Sequence, residues 1–166
     1  MPAVQPFSIT RTFNAPRALV YKVHTQAEHM EKWMSPPGFK TIHSAMDLRV
    51  GGSNHYGMQS PDGHEMWGLQ IFKEIVEPEK LVYVQSFSDK DRNITAHPMS
   101  PTWPKRMLAT LILKDLGSSK TELTITWLPY EASDTELATF DAARPSMSGG
   151  FQGVHDALDA YLASIQ

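Results

Sequence analysis

Cysteine is absent from the 166 residues, and its absence removes a disulfide framework, a thiolate nucleophile and any cysteine-held metal or cluster. Long apolar runs are lacking too. No stretch approaches the length that spans a bilayer, and the opening MPAVQPFSITRTF has no basic segment leading into an apolar core. The expectation is a cytoplasmic chain without membrane insertion. An excess of positive charge is also missing: Lys and Arg total 15 against 18 Asp and Glu, for a formal net charge of −3. With signs interspersed there is no basic stripe for nucleic acid.

The signatures of common catalytic sites are missing as well. No G-x-S-x-G elbow and no Walker phosphate loop occurs, and Gly51-Gly52-Ser53-Asn54 reads as a hairpin turn. His64-Glu65-Met66-Trp67-Gly68 begins like a zinc-protease motif but carries glycine where the second histidine should stand. It also falls on a strand, where positions i and i+4 do not converge. His24 and His29 flank a helix junction, and His43 and His55 fall on neighbouring strands, so no close-spaced metal triad forms. The residues imply no metal and no cofactor.

What is present suits one globular domain over residues 1–166, with 41% hydrophobic residues and enough length to bury a core. Phe7, Ile9, Arg11 and Phe13 alternate with Ser8, Thr10 and Thr12, which predicts a first strand. Asn14-Ala15-Pro16-Arg17 then opens a short helix to about Thr25, and a second covers Ala27 to Trp33 before Ser35-Pro36-Pro37-Gly38. From Phe39 to Tyr130 the signals are those of an antiparallel meander. Strands near 40–50, 53–60, 65–77 and 80–88 are joined at Val50-Gly51-Gly52, Pro61-Asp62-Gly63 and Glu77-Pro78-Glu79. A proline-rich loop from about 89 to 104 precedes strands near 105–114 and 120–129. In the last of these Leu123, Ile125 and Trp127 alternate with Thr124 and Thr126, giving a core face and a wet face.

A short helix near 134–143 leads through Arg144-Pro145 to a long terminal one. Met147, Phe151, Val154, Leu158, Tyr161, Leu162 and Ile165 recur on one of its faces at helical spacing. Gly149, Gly150, Gly153 and Ala157 leave part of that helix bare. Glycine in a helix interior costs roughly 1 kcal/mol against alanine, so the run points either to close packing on a sheet or to space left for a ligand.

The chain resembles the START-like, or SRPBCC, superfamily, and within it the branch named for homologues of the activator of heat-shock protein 90 ATPase. The matching segments are Ile9-Thr10-Arg11-Thr12-Phe13-Asn14-Ala15-Pro16, Glu28-His29-Met30-Glu31-Lys32-Trp33, Met46-Asp47-Leu48-Arg49-Val50-Gly51-Gly52, Pro61-Asp62-Gly63, Glu79-Lys80-Leu81-Val82-Tyr83 and Met147-Ser148-Gly149-Gly150-Phe151. They lie in the family's order over nearly the whole chain. The resemblance implies an α+β helix-grip fold: a curved antiparallel sheet of about seven strands around the long C-terminal helix, with an apolar cavity between them. Two departures alter the lining, Met34 where the branch usually has a second tryptophan and Phe151 where it often has one.

Trp33, Trp67, Trp103 and Trp127, with Met34, Met58, Met66, Met99, Met107 and Met147, form an apolar, deformable set suited either to a core or to a pocket lining. His55, Tyr56, Gln85, His97 and Arg106 are the polar groups that could orient a ligand. The ligand-binding set expected is therefore Trp33, Tyr56, Met58, Trp67, Gln85, Trp103, Met107, Trp127, Met147 and Phe151. The loop with Trp103 suits a mouth or lid, or a homodimer contact. The mouth is expected near residues 88–104 and the turn at Pro36-Pro37.

Three functions compete. The first is binding of a small hydrophobic or aromatic ligand. The second is a cofactor-independent cyclase, dehydratase or hydrolase using a pocket acid or base, although no residue pair singles itself out for it. The third, implied by the branch name alone, is a chaperone-cofactor module of the stress response.

Overall fold

The computed structural model describes residues 4–35 and 37–166. Strand β1 (Phe7–Phe13) leads into helices α1 (Arg17–Thr25) and α2 (Ala27–Trp33). Then come β2 (Lys40–Met46), β3 (Ser53–Gln59), β4 (Glu65–Val76), β5 (Lys80–Ser88), β6 (Ile94–Thr95), β7 (Arg106–Gly117) and β8 (Lys120–Pro129). Helix α3 (Asp134–Ala143) passes through a 3-10 turn at Arg144–Ser146 into α4 (Met147–Ser164). The strands form one antiparallel sheet in the order β1-β8-β7-β5-β4-β3-β2, with β6 on the end of β5. This is the helix-grip architecture. The described sheet has eight strands rather than about seven, because the segment read as a plain loop after β5 contributes the two-residue β6.

Alternation sets the faces. Phe7 pairs with Trp127, Ile9 with Ile125 and Ala109 with Trp127, so these residues share the concave face of the sheet. On the convex face the hydroxyls of Thr10 and Thr124 lie 2.9 Å apart and those of Ser8 and Thr126 3.3 Å apart. Leu123 and Ile125 are buried as their parity demands, and Trp127 packs half-buried beside them.

The core gathers Phe13, Val20, Val23 and Trp33 with Leu111, Leu113 and Leu123 from β7 and β8 and with Leu158 and Leu162 of α4. Full burial of one such side chain is worth about 1.5–3 kcal/mol, so this cluster anchors α4 by its C-terminal half. Two hydrogen bonds brace the helices around it. The Trp33 indole N–H donates to the Val23 carbonyl at 3.0 Å, and His29 Nδ1 meets the Tyr161 hydroxyl at 2.7 Å, tying α2 to α4.

Two details differ from the sequence reading. β2 ends at Met46, and 47–52 curl into a connection in which the Asp47 N–H donates to the Ser53 carbonyl. Pro16 itself caps α1, with extended backbone at ψ 148°, and no side chain caps that helix.

Candidate functional site

The N-terminal half of α4 touches the sheet through Phe151 and otherwise stands over a space. Beneath it, between α4, α1, α2 and the concave strands, lies a cavity of about 470 Å³, within the range usual for small-molecule sites. The wall from α4 is Met147, Gly150, Phe151, Val154 and His155, and the facing strand wall includes Met58, Phe72, Met107 and Ile125. Phe151 stacks on Phe7 at 5.3 Å and meets Trp127 edge-on at 4.9 Å, which fixes one end. At the rim are the exposed Met66, Lys105, Gly150 and Val154.

Each residue of the expected set borders this space: Trp33 from α2, Tyr56 and Met58 from β3, Trp67 from β4, Gln85 from β5, Trp103 from the loop before β7, Met107 from β7, Trp127 from β8, and Met147 and Phe151 from α4. Trp67 does so from the wrong side. It pairs with Gly57, one residue out of step with Tyr56 and Gly68, so alternation sends its ring to the convex face. There it stacks on His55 at 5.3 Å and lies 5.5 Å from His43. Two glycines make these placements possible. A methyl at Gly68 would run into the Tyr56 ring, and one at Gly57 would come within 2.8 Å of the Trp67 ring.

Trp103 is half-buried rather than exposed. It packs on Phe140 at 5.9 Å, while the Lys105 N–H donates to Glu136 at 2.8 Å and the Thr139 hydroxyl donates to Thr102 at 3.0 Å. The loop is thereby fastened to α3 and forms a fixed wall. Of the proline turn, Pro37 is exposed and does not border the cavity, and Pro36 lies outside the described residues. His55, His97 and Arg106 also stay outside: His55 meets the Asp89 carbonyl, His97 packs on Phe87, and Arg106 pairs with Glu131 at 3.0 Å. Met99, at the loop tip, is 89% exposed.

The polar equipment is sparse and ordered. The Asn54 amide donates to Gln70 Oε1 at 3.1 Å, Gln70 Nε2 to Gln85 Oε1 at 2.9 Å, and Gln85 Nε2 to the Tyr56 hydroxyl at 2.7 Å. Burial pushes the pKa values of Tyr56 and Tyr83 up, so both hydroxyls keep their protons. On the helix side His24 and His155 enter the lining. Burial lowers both to about 4; the bond from His24 Nδ1 to the Val20 carbonyl, 2.7 Å, opposes this at His24, while the Arg11 charge adds to it at His155. His155 Nδ1 and the Trp127 indole N–H are buried without a partner among the described residues.

Both histidines are neutral at pH 7, too weak to be effective bases and without a proton to give as acids. No carboxylate lines the cavity, and Lys105 is the sole lysine or arginine side chain at its border among the described residues. Nor do three His, Asp or Glu side chains converge on a point among those residues. The arrangement can therefore enclose an apolar molecule and hold it by a few directional hydrogen bonds.

His24, His155, Gln70 and Tyr83 were missed by the sequence reading. His155 had a signal: it is four residues after Phe151 and three before Leu158, on the same face of α4.

Comparison with known proteins accords with this geometry. Residues 14–163 match the family model described as "Activator of Hsp90 ATPase homolog 1-like protein". No curated protein matches the chain. Among solved structures, a protein from Arthrobacter aurescens is 25% identical, with 97% of this chain and 87% of that chain covered and a TM-score of 0.75. One from Staphylococcus epidermidis is 20% identical over 100% of this chain and 94% of that chain, with a TM-score of 0.76. An AHSA1-like protein from Aeromonas hydrophila is 16% identical over 97% and 94%, with a TM-score of 0.70. At these identities the latter two speak for the fold alone.

Proposed function

The chain belongs to the family of Activator of Hsp90 ATPase homolog 1-like proteins, and we propose that it binds one small, predominantly apolar or aromatic molecule beneath the N-terminal half of α4. The observation that carries the reading is the space itself: about 470 Å³ walled mainly by Met, Trp, Phe and Leu side chains, with no carboxylate among them. A space of that size lined mainly by apolar side chains offers an enclosed apolar molecule dispersion contacts on most sides. Tyr56, Met58, Gln85, Met107, Trp127, Met147 and Phe151 are the groups assigned to ligand contact, with Trp33 and Trp103 at the ends of the space. Trp67 is assigned to the outer wall that backs it.

Against an acid–base enzyme stand the two histidines, both depressed to about 4, and a cavity lining that holds no carboxylate. Titration with N-phenyl-1-naphthylamine, a neutral apolar fluorophore, tests the binding reading. Saturable enhancement is expected, with energy transfer from tryptophan, and Met107→Trp should weaken it at least tenfold by occupying the space. Absence of saturable binding, or binding indifferent to Met107→Trp, would remove the reading.

A further inference from the structure

The direction of the amide relay on the sheet wall determines what its last member offers a ligand. Asn54, Gln70 and Gln85 each pass one amide hydrogen along, and each amide could in principle be turned end for end. Met30 decides between the two senses. Its thioether, which can only accept, lies 3.8 Å from Asn54 Nδ2, so the Asn54 nitrogen faces two acceptors, Gln70 Oε1 and Met30 Sδ. The atom left unpartnered is the Asn54 carbonyl oxygen, and an unsatisfied carbonyl is the more tolerable orphan. The relay thus runs from Asn54 to Tyr56. Tyr56 accepts from Gln85, which turns its own O–H proton away from the relay. Tyr83 adds a second hydroxyl to the lining.

Charge narrows the class further. A carboxylate in the interior would be stripped of water with no cation nearer than Lys105 at the exposed rim, and an ammonium would find no anion, so both are disfavoured. A pure hydrocarbon would leave the tyrosine hydroxyls unpaired. An acceptor oxygen on an otherwise apolar skeleton meets both conditions.

Resting on the ligand reading above, we propose that the cavity selects an uncharged, predominantly apolar ligand bearing an acceptor oxygen of the ketone-carbonyl kind, which accepts the Tyr56 hydroxyl proton at the end of the Asn54–Gln70–Gln85 relay. Gln85 acts as a positioning residue, and Tyr56 makes the contact. The Gly68 cleft under the Tyr56 ring holds the hydroxyl in place.

Competition against bound N-phenyl-1-naphthylamine tests this with three probes of one shape: benzophenone, its isostere 1,1-diphenylethylene, and diphenylacetate. Benzophenone is expected to displace best and diphenylacetate worst. The ratio of benzophenone to diphenylethylene affinity should fall about tenfold in Tyr56→Phe, the scale of one neutral hydrogen bond. It should fall in the same direction in Gln85→Leu, where the Tyr56 hydroxyl stays but loses the donor that orients it. Because the ratio is taken within each protein, it separates loss of the carbonyl contact from loss of the cavity, since a damaged cavity weakens both probes alike. Equal displacement by ketone and alkene, preference for the carboxylate, or a ratio that survives either substitution would overturn the ligand class and leave the cavity reading intact. Failure of the fluorophore to bind wild-type protein would remove both.

Discussion

Leu158 and Leu162, in the C-terminal half of α4, are 0% and 1% exposed within the main core cluster, whereas Met147, Phe151 and Val154 line the cavity. Both halves are apolar on the same side of the same helix. The difference lies in what each meets. The C-terminal half is drawn down by interlocking side chains and by the His29–Tyr161 bond to α2. The N-terminal half is held at its end by Phe7, Phe151 and Trp127 and is thereby propped off the sheet. One half stabilises the domain; the other leaves an unfilled space that a ligand could complete.

Substitutions along α4 should separate the halves most sharply. Leu158→Ala is expected to cost about 2–5 kcal/mol, the usual range for a fully buried leucine, with little effect on fluorophore affinity in the folded fraction. Val154→Ala should cost under about 1 kcal/mol, since Val154 is exposed at the rim. Urea unfolding with parallel titration reads both; equal destabilisation would erase the distinction.

Acid provides the next test. His24 and His155 fall from an ordinary 6.5 to about 4 on folding, so between those values the unfolded chain binds protons that the folded one does not. Their contribution is fully present above about pH 6.5 and is lost as the pH falls towards 4. At about 1.4 kcal/mol per unit, each accounts for on the order of 3 kcal/mol. His155→Phe should flatten the fall measured by unfolding at pH 7 and pH 4.5, and an unchanged fall would place the acid sensitivity elsewhere.

The smallest effect is expected at the glycines. An added methyl at Gly153 would meet nothing within 4 Å, and Gly153 does not line the cavity. It is neither a packing seam nor ligand space, and Gly153→Ala should raise stability by about 0.5–1 kcal/mol with fluorophore affinity unchanged. A lower melting temperature would restore the packing reading.

How much could be read from sequence follows the same division. Strand alternation and the proline and glycine turns are local signals, and they placed the long strands and helices within a few residues. Apolar residue types found much of the lining, because a hollow core and a filled one draw on the same side chains. What sequence could not supply was parity across strands. Whether Trp67 or Met66 faces inward depends on the pairing of Gly57 with Trp67, a tertiary fact. The Gly153 reading failed because spacing along a helix does not say how far the helix stands from its sheet. His24 was weighed only as a metal ligand, because an inward histidine on a short helix looks in sequence like one on its surface.

The most direct measurement is a two-dimensional amide spectrum of ¹⁵N-labelled protein during titration with N-phenyl-1-naphthylamine. The account expects the largest shifts at Tyr56, Gln85, Met107 and Phe151, and small ones at Leu158, Leu162 and the outer-face His43 and His55. Shifts concentrated on the outer face, or spread evenly along α4, would contradict it.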